Sequence, residues 1–241
     1  MKNVKKFLCI VVGVMVYNIH PLAQVKNYSL CEDTEVQRAK CAEINDNIRN
    51  QRYYLAKTGL LEIEESCGLS SDGYVELAAL LSIQQDYDAA IVVCKRWENM
   101  PNLSVANKRQ CYDMLFSAYY LKDDYHNAQI YAEKLATVNS GSELTKITFK
   151  LAKCYQKQDN IYMAYSTFKK YTNMRLHDLN KTEYDVSNHY ISDKDLGYAY
   201  MYICKYLAKN NDDSYVKYLR LAAACGDKQA IQMCKAYNMA Y

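Results

Sequence analysis

Apolar residues return along most of this chain at intervals of three and four, the spacing that gives a helix one buried face. Short polar turns separate these runs. Only seven Gly and two Pro occur in 241 residues, so long helices meet few breakers and strands have little room. Val36, Ala39, Ile44 and Ile48 form one stripe, which Tyr54, Leu55, Leu61 and Ile63 continue. Residues 33–68 are therefore expected to form an N-terminal helical hairpin, with residues 25–32 as a flexible leader before it. A less periodic stretch, residues 173–193, reads as a long irregular loop, and such loops often carry function.

Three stretches superimpose without gaps: Leu77 to Ala90, Leu115 to Ala128, and Leu151 to Ala164. Each has an apolar start, a polar turn and then Ala. The alanines stand 38 and 36 residues apart, close to the period of about 34 of helix-turn-helix repeats. The second copy has Leu115, Ala118 and Tyr119, then Asp124-Tyr125 at the turn, then Ala128, Tyr131 and Leu135; Phe168 supplies the large apolar residue of the third copy. On these residues the chain resembles the tetratricopeptide repeat (TPR) family. Phe116 and Ala152 depart from it, standing where the family favours Gly.

A fourth unit opens with Leu196-Gly197-Tyr198-Ala199-Tyr200, and its first helix runs to about Lys209. Beyond it, Ala222-Ala223, Gly226 and Ala230 resemble a Sel-one-like repeat, a cousin of the TPR. The resemblances imply an all-α fold, a right-handed α-solenoid of stacked antiparallel helical hairpins. A repeat domain over 69–241 then holds units at about 71–102, 109–140, 145–174 and 191–224, with a final helix at 227–238. One hairpin cannot bury its apolar face alone, so neighbours must stack.

The first 24 residues change the picture of where the protein works. Lys2, Lys5 and Lys6 precede an apolar run from Phe7 to Tyr17 and a short tail ending at Ala23-Gln24, the layout of a secretory signal peptide. The run is well short of the roughly 20 residues needed to cross a bilayer. We therefore expect an exported protein, periplasmic or secreted, without stable membrane insertion once the signal is removed. Losing residues 1–24 removes three Lys and no acid, leaving 27 basic and 27 acidic side chains. That balance argues against a nucleic-acid partner, which is usually met by a basic excess. Nine cysteines follow the signal, none in a C-x-x-C pair; zinc and thioredoxin-like centres lose support, while disulfides remain open in an oxidising compartment.

Candidate chemistry is thin. No nucleophile elbow, phosphate-cradling Gly loop or H-E-x-x-H helix occurs, and neither metal nor cofactor is implied. His177 and His189 share the 173–193 segment with Asp178, Glu183 and Asp185, the one set that offers ligands or acid-base groups for a site. Binding has the better case. The TPR resemblance implies an inner groove lined by first helices, placing Asp113, Ser117, Tyr120, Phe149, Lys153, Lys157, Tyr198 and Tyr202 on it. Rings there offer contact area at low entropy cost and lysines meet carboxylates. The family's lysine and asparagine clamp is not reproduced, since Asp113 and Ser117 occupy two of its places. The reading is a non-enzymatic scaffold for a protein or peptide partner; the alternatives are an envelope enzyme using the 173–193 segment and a self-associating structural component.

Overall fold

The computed structural model describes residues 26–31 and 34–241; the signal-like segment 1–24 lies outside them. Among the described residues are twelve helices: α1 (Glu35–Arg49), α2 (Tyr53–Cys67), α3 (Ser71–Ile83), α4 (Tyr87–Glu98), α5 (Val105–Leu121), α6 (Tyr125–Thr137), α7 (Gly141–Lys157), α8 (Ile161–Asp178), α9 (Glu183–Asn188), α10 (Lys194–Lys209), α11 (Tyr215–Ala224) and α12 (Lys228–Ala236). The fold is all-α. The described residues contain no strand, only an isolated antiparallel bridge between Ser29 and Leu69. No helix among them is long and apolar enough to cross a membrane. The chain divides into two compact units, the first ending at Ala118 and the second starting at Tyr119.

One turn design explains the polar punctuation of the sequence. Gln85, Asp123 and Asp159 all adopt positive φ, between 55° and 62°. The next residue, Asp86, Asp124 or Asn160, sends its N–H back five residues to Leu81, Tyr119 or Tyr155. This satisfies a carbonyl left over at the helix end, as in a Schellman motif. The same residue then caps the following helix: its side chain accepts from the N–H of Ala89, Asn127 or Met163. A single Asp or Asn thus closes one helix and opens the next, which forces the chain to double back. Gly226-Asp227 repeats the arrangement between α11 and α12, with Gly226 at φ 87°. Four residues into each second helix stand Ala90, Ala128 and Ala164, all fully buried. They leave no side chain beyond Cβ, so the facing helix can approach closely.

In the first unit, α1 to α4 pack in sequence order. Residues 26–31 are not a flexible leader, as the sequence suggested, but a strap bound to the α2–α3 turn. Leu30 N–H donates to Gly68 and Ser70 N–H to the carbonyl of Tyr28, at 3.1 and 2.9 Å. Tyr28 is fully buried, and its hydroxyl donates to Asn45 at 2.8 Å. Lys26 pairs with Glu76, and Cys31 forms a disulfide with Cys67. The strap lies so close that a Cβ on Gly73 would come within 2.6 Å of the Tyr28 carbonyl. The hairpin's buried stripe also differs from expectation. Cys41 and Ile44 on α1 and Ala56, Leu60 and Ile63 on α2 face inward, whereas Val36, Tyr54, Leu55 and Leu61 are exposed. Of the expected stripe Ile44 and Ile63 are buried, and Cys41, Ala56 and Leu60 complete the face beside them.

In the second unit α6, α7 and α8 pack in order, and α8 then packs on α10, α10 on α11 and α11 on α12. The core gathers Phe168, Tyr171, Leu196, Tyr200, Ile203, Leu219, Ala222 and Ala223 around these helices. The 173–193 segment is mostly helical, correcting the expected irregular loop. α8 continues to Asp178, and Thr182 with Asp185 forms a capping box that starts α9. Val186 on α9 is fully buried, which is why this short helix stays docked on α11.

Candidate partner interface

Helices α7 and α10 each place residues four apart on one face, Phe149, Lys153 and Lys157 on the first and Tyr198, Tyr202 and Tyr206 on the second. Packing through α8 brings the rows together. Tyr198 meets Phe149 at 6.1 Å and Phe168 at 5.9 Å between ring centroids, and Phe168 meets Tyr202 at 4.8 Å. The Lys153 ammonium stands over the Tyr198 ring, 4.2 Å from its centre, within the range of a cation–π contact. The Tyr198 hydroxyl donates to Gln156 at 2.8 Å, fixing the ring's direction. Burial, followed by the neighbouring Tyr198 and Asp159, raises the Tyr202 hydroxyl above its ordinary value. Tyr202 thus stays neutral and acts as an apolar ring with a polar edge.

A second group lies nearby in the same unit. Tyr120 meets Tyr125 edge to face at 5.2 Å, and Lys157 stands 5.5 Å from the Tyr125 ring centre. Tyr125 is pushed up to about 12, by burial first and then by its hydrogen bond to Asp123. Of the residues expected in the groove, six fall in the second unit: Tyr120, Phe149, Lys153, Lys157, Tyr198 and Tyr202. Asp113 and Ser117 are half-buried residues of α5 in the first unit. Tyr206, Lys205 and Lys209 were missed; continuing the four-residue spacing of Tyr198 and Tyr202 finds Tyr206, whereas Lys205 and Lys209 lie on a neighbouring row of α10.

The position of α10 is set at its start. Asp193 caps the helix by accepting from Leu196 N–H at 2.9 Å, and its other oxygen accepts from Arg175 Nε at 2.8 Å. One carboxylate therefore ties α8 to α10. The histidines do not assemble a site: His177 ends α8, His189 follows α9, and both are exposed. Among the described residues no three His, Cys, Asp or Glu side chains converge as metal ligands.

No protein-family model matches the chain, and no curated protein matches it. Solved structures do. MamA AMB-1 superimposes with a TM-score of 0.57 at 12% identity, covering 82% of this chain and 95% of that one. The fold is that of TPR-like helical repeats. MamA MSR-1 gives 0.54 at 13% identity over 79% of this chain and 96% of its own. A Podosopora anserina chain of nearly identical TPR-like repeats gives 0.51 at 12% over 80% and 95%. At these identities the likeness concerns the path of the backbone, and function has to be argued from this chain's own side chains.

Proposed function

We propose that this chain is an exported, non-enzymatic interaction scaffold that holds a peptide segment or a neighbouring envelope protein on the face of α7 and α10. The observation that carries this reading is the half-buried cluster of Phe149, Lys153, Tyr198 and Tyr202. Phe149 meets Tyr198, the Tyr198 and Tyr202 rings both meet Phe168, and the Lys153 ammonium stands over the Tyr198 ring. Aromatic rings with a cation at their rim have the composition of an interface centre. Export is supported by the signal-like residues 1–24 and by the Cys31–Cys67 bridge, since such bridges persist in oxidising compartments. We read α11 and α12 as a Sel-one-like pair, supported by the buried Ala222, Ala223 and Ala230 and the left-handed Gly226.

The test is capture of envelope proteins by the mature chain beside a variant with Tyr120, Lys153 and Tyr198 changed to Ala, whose helicity is checked by circular dichroism. A partner retained by the native chain and lost by the folded variant is the expected result. Equal recovery by both overturns the assignment.

A further inference from the structure

Helix α10 carries a second row beside its tyrosines, made of Met201, Lys205 and Lys209, again four residues apart. The two rows line a cleft of about 310 Å³. Four residues of helix rise about 6 Å, and alternate residues of an extended chain advance about 6.6 Å. An extended segment laid along α10 therefore sets every second side chain on successive steps of one row.

Charge says which side chains those are. Lys153, Lys205 and Lys209 form no ion pair among the described residues, whereas Lys146 and Lys217 in the same unit pair with Glu143 and Glu183. Lys205 donates to the neutral amide of Gln229 at 2.9 Å. The acid on the cleft wall, Asp227, has its carboxylate accepting from Ala230 N–H as the cap of α12. Asp195 lies near Lys153, at the opposite end of α10 from Lys209. The cations at the Lys209 end are thus left for a partner's carboxylates to meet.

We propose that this cleft takes an extended segment with acidic side chains at alternate positions, of the kind Glu-x-Glu-x-Glu. Its carboxylates meet Lys205 and Lys209, while its backbone and aliphatic stems cross the tyrosine row. Recognition is of side-chain spacing and not of a free chain end. The proposal rests on the scaffold reading and narrows it to one partner chemistry.

The test titrates the mature chain into dye-labelled peptides with amidated C-termini and reads fluorescence anisotropy. One peptide alternates Glu with small residues, a second has the same composition with its Glu in one block, and a third carries Lys in place of Glu. The alternating peptide is expected to bind about tenfold tighter than the block peptide, a difference of about 1.4 kcal/mol, and the Lys peptide not to bind. Changing Lys205→Gln and Lys209→Gln together is expected to weaken binding about tenfold and to flatten its salt dependence. Lys170→Gln, on the exposed side of α8, leaves it unchanged. Equal binding of the first two peptides, binding of the Lys peptide, binding only with a free C-terminal carboxylate, or indifference to the Lys205/Lys209 change each overturns the proposal. If no peptide binds while the Tyr120/Lys153/Tyr198 variant still loses its captured partner, this partner chemistry falls and the scaffold reading stands. If capture is also unchanged, both fall.

Discussion

Opening the Cys31–Cys67 bridge removes the one covalent tie between the strap and α2 and leaves the strap's non-covalent contacts in place. The two cysteines are 36 residues apart in sequence. Closing a loop of that length removes about 13 cal/mol/K from the unfolded chain, or about 4 kcal/mol at 25 °C in the chain-entropy account. The strap's folded contacts survive in a Cys31→Ser/Cys67→Ser chain, because Tyr28, Ser70 and Lys26 keep their own partners. Most of the loss therefore arises in the unfolded state. Trp97, the one tryptophan in the sequence, is fully buried in this unit and donates to Ser71 at 3.2 Å, so its fluorescence follows the unit's unfolding. With a urea slope of about 1–3 kcal/mol/M, the double variant's midpoint should fall by about 1 M or more. Reductant should lower the native chain to the same midpoint and leave the variant where it is. A native midpoint indifferent to reductant would refute the reasoning, as would a reductant effect that persists in the double variant.

Two buried tyrosines should respond oppositely to loss of a hydroxyl. The Tyr200 hydroxyl is buried without a hydrogen-bond partner among the described residues, so Tyr200→Phe should leave stability unchanged or raise it by about 1 kcal/mol, while Tyr28→Phe, which loses the bond to Asn45, should cost about 1 kcal/mol; calorimetry on both variants decides. Ala164→Leu places a branched side chain where the helix is fully buried, and overpacking of this kind should cost about 1–3 kcal/mol, read as a lowered urea midpoint with helicity retained. Burial pushes the Cys154 thiol up to about 12 from an ordinary 9.0, and Glu133 adds to the shift. A raised value gives stability that is whole below pH 9 and is lost as pH rises toward 12. Alkylation at pH 8 should accordingly spare Cys154 until the chain unfolds, and the unfolding midpoint should drop across pH 9 to 12.

The hairpins were legible because their signal is local. Asp86, Asp124 and Asn160 act within five residues on either side, and the alanines after them recur at fixed distance, so both turn and packing can be read from one strand of text. The end of the first unit was legible only in part. Ile44 and Ile63 lie buried as expected, but the face between them runs through Cys41, Ala56 and Leu60, while Tyr54 and Leu61 face solvent; side-chain size alone does not reveal a face that includes small residues. The strap escaped notice for a different reason: Ser29 meets Leu69 and Cys31 meets Cys67 across nearly 40 residues, and no periodicity encodes such contacts. At the candidate interface the residue types were visible, but the placing of Lys153 over Tyr198, 45 positions apart in sequence, depends on how α7, α8 and α10 pack.

Photo-cross-linking from single positions tests the interface most directly. A photoreactive residue is placed at Lys153 or Lys205 on the candidate face, or at Lys170 on the exposed side of α8, and the full chain is irradiated in the cells that produce it. Adducts of one mass from positions 153 and 205, and none from 170, are the predicted result. Adducts from 170 with none from 153 and 205 would place the partner elsewhere and contradict the account.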